Sequence, residues 1–277
     1  MPRLTGLFTL FLFSFVRFVS FGVEQKLCPA TEGEPKRVKQ FIGTIQALYR
    51  YPVKSMAGES LQSASLIWHG LAGDRRYAFR RVQETGGFPW LTAGRLPALI
   101  RYQPFARNAA AAPTHVRTPT GTELELHGAA LQQEITSLHG AEVQLMHLNH
   151  GMFDEAPLSL LTTETLASLS AQTETALDVR RFRPNIVVQT ACDKSFPENN
   201  WVGKLIVFGD AEQAAAMSAT QRDIRCAMVN LDPETGAVTP QILKAVVQAN
   251  ENCAGIYGAP FRTGEISVGN RVFVIDL

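Results

Sequence analysis

Phe41-Ile42-Gly43-Thr44-Ile45-Gln46-Ala47-Leu48-Tyr49-Arg50-Tyr51-Pro52 is the stretch whose reading decides the fold. Ile45, Ala47, Tyr49 and Tyr51 alternate with Gln46, Leu48 and Arg50, the period of two that predicts a β-strand, and Pro52, which cannot donate to a ladder, ends it. Working outward, further strands are predicted over residues 90–92, 99–102, 123–126, 143–148, 186–188 and 204–208, with a turn and a strand over 264–274. Residues 108–120, rich in Ala, Pro and Thr, read as a surface loop. Helical signals are fewer. Residues 161–169 carry apolar side chains at Leu161, Leu166 and Leu169, with Thr162 or Thr163 as N-cap, and Thr239 caps a short helix that starts at Pro240 and runs toward Asn250. Many short strands separated by turns argue for barrel-like, mainly β structure with some α (α+β) rather than a parallel α/β sheet.

The chain has 277 residues, enough to bury one large or two smaller cores, and its 45% hydrophobic and 18% charged fractions are those of a globular protein. A formal net charge of +1 gives no global pull toward nucleic acid, so any anion site has to be built locally. Cys28, Cys192, Cys226 and Cys253 are widely spaced, which argues against a disulfide framework, an iron–sulfur module or a zinc site. His147 and His150 lie close together but read as a strand end and a turn.

Three segments are expected: an apolar leader and linker over 1–38, a first β module over 39–152 and a second domain over 153–277. Residues 6–23 are almost wholly apolar, yet Arg17 interrupts them, which spoils both a secretory signal and a clean membrane span. A single N-terminal membrane anchor, an upstream extension that is disordered or comes from a misassigned start, and, third, a cleaved secretory signal remain open readings, so the location is left between cytoplasm and membrane surface.

Cys226 is the first candidate for chemistry. It follows Arg225 directly and lies four residues after Arg222, and a thiol between cations has its thiolate form favoured, the form that ligates soft metals. The competing reading is a small buried apolar residue. Lys54 and Ser55 sit just past the end of the first strand in a loop containing Gly58, where a cation and a hydroxyl suit a phosphate; the bland reading is a solvated lysine. Arg75 stands between the Gly70–Asp74 turn and the next strand, either aimed by the scaffold or simply paired with Asp74. Pro184 forces Arg183 out of helical geometry, and Arg183 with Asn185 then offers a planar donor fork plus an amide that suit a flat heterocycle; bonding to backbone carbonyls is the alternative. The N-terminus at Thr162 could also hold an anion.

Together Tyr51-Pro52-Val53-Lys54-Ser55, Gly73-Asp74-Arg75, Leu91-Thr92-Ala93, Phe182-Arg183-Pro184-Asn185-Ile186, Arg225-Cys226, Asp232-Pro233-Glu234-Thr235-Gly236 and Tyr257-Gly258 resemble, in order and spacing, the MOSC family with its N-terminal β-barrel module. The resemblance extends to the molybdenum enzymes that reduce N-hydroxylated compounds, the mitochondrial amidoxime-reducing component and its bacterial counterparts among them. It implies a molybdenum–pterin cofactor (molybdopterin), with Cys226 as the protein ligand to molybdenum. It also implies Lys54, Ser55 and Arg75 as the phosphate clamp, Arg183 and Asn185 as pterin contacts, and Thr162 and Arg225 in supporting positions. The implied substrate is a small N-oxygenated molecule.

Bacterial relatives often carry a ferredoxin module with clustered cysteines; this chain reaches Leu277 without one, so a separate ferredoxin-, flavin- or cytochrome-type donor is implied. Relatives often have Thr-Ala-Arg where this chain has Thr92-Ala93-Gly94-Arg95, which clouds a role for Arg95. The resemblance leaves two other roles open, a sulfur carrier with a Cys226 persulfide and a non-catalytic cofactor-binding protein. Pyridoxal phosphate is associated with the family through fused desulfurase partners, and nothing in this sequence supports a Schiff-base lysine of its own.

Overall fold

The computed structural model describes residues 38–107 and 112–276. The apolar stretch 6–23, and with it the anchor reading, lies outside them, as does Cys28. Among the described residues no helix is long and apolar enough to cross a membrane.

Seven strands close into a barrel: β1 (Gln40–Arg50), β2 (Leu158–Thr162), β3 (Ile186–Thr190), β4 (Leu205–Phe208), β5 (Ala216–Ile224), β6 (Cys253–Arg262) and β7 (Arg271–Ile275). The order around the wall is β1-β3-β2-β6-β5-β4-β7 and back to β1. An odd number of strands cannot close with antiparallel neighbours only. The single parallel pair here is β2–β3, and the helix α2 (Thr163–Thr173) makes the crossover that a parallel pair requires. The interior is filled by Ile45, Leu48, Leu160, Ile186, Val188, Ile206, Met217, Ala219, Ile256, Val272 and Val274.

The first strand departs from its expected phase. Gly43, Ile45 and then Leu48 are buried, and Ala47 is not, because a bulge between Ile45 and Ala47 inserts an extra residue and flips the alternation. β1 precedes residue 152, yet it is paired on one side with β3 and on the other with β7, and the described residues all fall in one compact unit.

Against the barrel stands a second core built on Val53, Tyr77, Phe79, Leu91, Leu99, Tyr102, Leu131, Ile135 and Val143. It takes the paired strands Tyr77–Arg81 and Val143–His147, a small sheet of Gln103–Phe105, His115–Arg117 and Glu123–Glu125, and the helix α1 (Ala129–His139). The strand expected over 99–102 is instead a 3-10 turn, Pro97–Arg101, since Pro97 at its first position favours helical φ. The 108–120 loop is shorter than expected, because His115–Arg117 leaves it to pair with both neighbours.

Outside the barrel α2 packs with α3 (Gln241–Asn250) over Leu161, Leu169, Phe182, Val229 and Val246. Pro240, not Thr239, occupies the α3 N-cap and has no side chain to cap with. The Leu243 amide is satisfied from a distance by Asn230 Oδ1 at 2.9 Å.

Candidate functional site

Local hydrogen bonding carries the Tyr51–Ser55 loop to Arg75. The Lys54 amide donates to Tyr77 O (2.8 Å), the Arg75 amide to Tyr51 O (2.8 Å) and the Tyr51 amide to Asp74 Oδ1 (2.7 Å), so residues 51–54 run along the start of the next strand. A third segment is stitched on when the Phe153 amide donates to Arg75 O (2.8 Å) and Lys54 Nζ donates to Phe153 O (2.8 Å). The fourth arrives with Arg183, whose Nη1 donates to Met56 O at 2.6 Å and whose guanidinium lies 4.1 Å from the Tyr51 ring centroid.

These segments and the barrel mouth enclose a cavity of about 930 Å³. Lys54, Ser55, Arg75, Arg183, Arg225 and Cys226 all line it, although the chain separates them by more than half its length. From the barrel come Ser159 on β2, Gln221 and Asp223 on β5, and Tyr257 on β6. Met217 and Ala219 point into the core; beyond them the ladder shifts register between Ala219 and Gln221 and again between Arg222 and Ile224, and Gln221 and Asp223 on this irregular end of β5 line the cavity. Trp90 and Phe153, in edge-to-face contact at 4.6 Å, add an apolar wall with Phe88, Met152 and Ile224.

Cys226 is exposed, and the reading of it as a small buried apolar residue does not hold. The two arginines beside it in sequence are engaged elsewhere. Arg225 donates to Ala254 O (2.7 Å) and Phe182 O (2.7 Å) and pairs with Asp223 at 2.6 Å; Arg222 holds Glu251 and Asn250. Arg225 is thus a strut that fixes the Cys226 loop to the Arg183 turn.

Ser55, Arg75 and Arg183 share a feature that sequence did not announce. Their φ values, 67°, 47° and 51°, lie in the left-handed region that side chains with a Cβ rarely adopt. Such conformations cost about 1–3 kcal/mol each and gather at ligand-binding sites. Arg183, which precedes Pro184, lies outside right-handed helical geometry in a left-handed conformation, and its fork reaches Met56 O at the cavity.

The cation cluster carries its own counter-charges. Arg75 pairs with Asp74 (2.5 Å) and with Asp154, and donates to Asn185 Oδ1 (3.2 Å) and Arg183 O (2.9 Å). Burial works against its charge, but Asp74 and Asp154 outweigh it and raise its guanidinium above the ordinary range. Burial, then the charge of Arg75, pulls Arg183 down to about 10. Lys54, 3.6 Å from Asp154, is lowered by burial, which Asp154 only partly offsets. Asp154 itself is lowered, since Arg75 and Lys54 overcome its burial. Lys54, Arg75 and Arg183 against Asp74 and Asp154 leave an excess of positive charge, and Arg183 Nη2 is buried with no hydrogen-bond partner among the described residues. A phosphate or another anionic, acceptor-rich group fits both the charge and the orphaned donor.

Two expected contacts stand back from the cavity. Asn185 is fully buried: its Oδ1 accepts from Arg75 and from the Ser159 amide (3.1 Å), and its Nδ2 donates to Tyr49 O (3.3 Å), so it aims Arg75. Thr162, also fully buried, caps α2 by accepting from the Thr165 amide (3.2 Å) and donates to Glu198 (2.7 Å). Thr92 and Gly94 line the cavity, whereas Arg95 is exposed and not among its walls. Asp154, Ser159, Asp223 and the apolar wall were not singled out by sequence reasoning. Tyr257 was, but only as part of a motif.

Residues 136–273 match the MOSC domain and residues 42–157 the MOSC N-terminal beta barrel domain. The chain is 28% identical over 296 residues to mitochondrial amidoxime-reducing component 1 of Homo sapiens, spanning 87% of this chain and 85% of that protein. It is 25% identical over 249 residues to the Mus musculus component 1, spanning 73% and 69%, and 29% identical over 133 residues to the Homo sapiens component 2, spanning 43% and 37%. Among solved structures, the YUAD protein from Bacillus subtilis aligns with a TM-score of 0.47 at 14% identity, covering 87% of this chain and 100% of that one.

Proposed function

The chain belongs to the MOSC domain family, and from that premise we propose that its cavity holds a molybdenum–pterin cofactor and that the protein is an oxidoreductase reducing N-hydroxylated or N-oxide compounds. The observation that carries this reading is the convergence of an exposed thiol, Cys226, and a cation-rich cluster on one cavity. The relatives named amidoxime-reducing components support the substrate class.

When bound, the cofactor supplies a redox-active metal able to pass electrons to an N–O bond. The chain's own residues do the rest. Lys54, Ser55 and Arg75 grip the phosphate, and Arg75 is held rigid by Asp74, Asp154 and Asn185 so that little order is lost on binding. Arg183 offers its unpaired Nη2 to the pterin, and the Cys226 thiolate is the protein ligand to the metal. Trp90, Phe153 and Ile224 shed water from the cavity and accept an apolar substrate body. Electrons arrive from a separate ferredoxin-, flavin- or cytochrome-type partner.

The test is purification from a host that makes the cofactor, followed by quantification of molybdenum, pterin and sulfur in the wild-type protein and in Cys226→Ala. Stoichiometric metal that is lost in the variant, with donor-dependent reduction of a benzamidoxime, is the expected result. Cyanide-releasable sulfur on Cys226 without molybdenum overturns it in favour of a sulfur carrier, and bound cofactor without turnover by any donor overturns the reductase.

A further inference from the structure

Asp223 is a buried carboxylate in the cavity wall to which the reading above gives no task. It sits where the ladder between β5 and β6 slips, with a register shift between Arg222 and Ile224, and such a bulge re-aims a side chain beside a site. Its Oδ2 accepts from Ser159 Oγ (2.7 Å) and pairs with Arg225 (2.6 Å). Its Oδ1 is buried with no hydrogen-bond partner among the described residues. From β6 the Tyr257 phenol faces the same carboxylate and also lines the cavity.

We propose that Asp223 and Tyr257 are the proton-delivery pair of this cavity, Asp223 giving a proton to the oxygen that leaves the substrate and Tyr257 relaying its replacement from cavity water. The assignment rests on the reductase reading. Reduction of an amidoxime breaks the N–O bond: two electrons from the haem, flavin or iron–sulfur donor and two protons convert R–C(NH2)=N–OH to R–C(NH2)=NH and water. One proton completes the departing water and the other the imine nitrogen. Asp223 supplies the first and becomes a carboxylate, held in that state by Arg225 and Ser159. It regains the proton along the Tyr257 hydroxyl, which donates to the carboxylate as it accepts from water. The second proton reaches nitrogen from water in the cavity.

The charges around the pair agree with these roles. Burial, against the opposing pull of Arg225, Ser159 and Tyr257 and with a push from Asp154, moves Asp223 up to about 6. That is the range in which a carboxyl acts as a general acid near neutrality. Burial, then the charges of Asp223 and Asp154, lifts the Tyr257 phenol well above its ordinary range despite Arg225 and Arg75, so it passes protons without ionising. Asp154 cannot take the role, because Arg75 and Lys54 keep it a carboxylate.

The experiment compares full-length cofactor-loaded wild-type protein with Asp223→Asn and Tyr257→Phe. Molybdenum and pterin contents are expected to match in all of them. Wild-type kcat is expected to fall as pH rises above about 6, tenfold per unit, and Asp223→Asn to lose that limb and on the order of 10²-fold in kcat, the scale of one general acid. Tyr257→Phe is expected to keep the limb, lower kcat and change the solvent isotope effect. A readout independent of the cofactor is the infrared C=O band of a protonated carboxyl, titrating near pH 6 in wild type and absent in Asp223→Asn. Loaded Asp223→Asn with wild-type kcat and an unchanged pH limb, or wild-type protein with no carboxyl titrating near 6, overturns the proposal. If the wild type binds no molybdenum the reductase reading is what fails, and the infrared titration still decides whether the acid exists.

Discussion

Thr162→Ala separates a cofactor contact from a structural cap. The Thr162 hydroxyl accepts from the Thr165 amide and donates to Glu198, a carboxylate sealed from solvent whose other donors include Thr165 Oγ1 at 2.7 Å. Losing the cap costs about 1 kcal/mol, and leaving a buried acceptor short of a donor costs about 1–3 kcal/mol more. A total near 3 kcal/mol corresponds to a fall in Tm of roughly 6–12 °C for a unit of this size. The penalty also depends on pH. Burial raises the Glu198 carboxyl above its ordinary range, and the Thr165 and Thr162 hydroxyls restrain that rise. A group raised on folding contributes its stability in full below its unfolded value and loses it as pH climbs through the folded one, so removing a restraining donor hurts more at pH 8 than at pH 5. Thermal melts of wild type, Thr162→Ala and Thr162→Ser at both pH values test this, alongside molybdenum content and kcat/KM per loaded site. Thr162→Ser keeps the hydroxyl and should lose only about 1 kcal/mol for a buried methyl group. A variant that melts like wild type but sheds its cofactor would refute the reasoning and return Thr162 to the binding site.

Arg75→Lys keeps the charge but not the fork that serves Asp74, Asp154, Asn185 and Arg183 O together; buried acceptors left without a donor cost about 1–3 kcal/mol, and denaturant melts of the purified variant should show it together with a drop in bound pterin. Asp154→Asn should flatten the acid limb of stability. Asp154 is lowered on folding, so its contribution is present above its ordinary 3.8 and lost as pH falls below it, and Tm measured from pH 6 to 3 should change less in the variant. Gly255→Ala should destabilise by about 1–3 kcal/mol and loosen Arg225: at φ 86° a Cβ would lie 2.5 Å from Leu160 O and 3.1 Å from Arg225 Nη2, and calorimetry reads the loss. Cys226→Ala, by contrast, removes an exposed side chain and should leave the apo-protein Tm within the change expected of about 0.5 kcal/mol.

Period and turn chemistry, which act within a few residues, were legible in the chain itself. The strand from Phe41, the apolar run Ile186-Val187-Val188, the Thr162 cap of α2 and the Asp232–Gly236 turn, where Asp232 Oδ1 accepts from the amides of Glu234 and Thr235, all appear where the residues put them. So did the grouping of Lys54, Ser55, Arg75, Arg183 and Cys226 as one set, though only through a resemblance of ordered motifs. The bulge in β1, the 3-10 turn at Pro97–Arg101 and the left-handed Ser55, Arg75 and Arg183 were not legible, because each is set by a partner strand or by the close approach of distant backbone. The same holds for Asp154, Asp223 and Ser159: nothing beside a lone carboxylate or hydroxyl in the chain says which cation it will face. Only closure of the barrel decided that, since charge–charge and hydrogen-bond energies depend on distances through space that residue order does not specify.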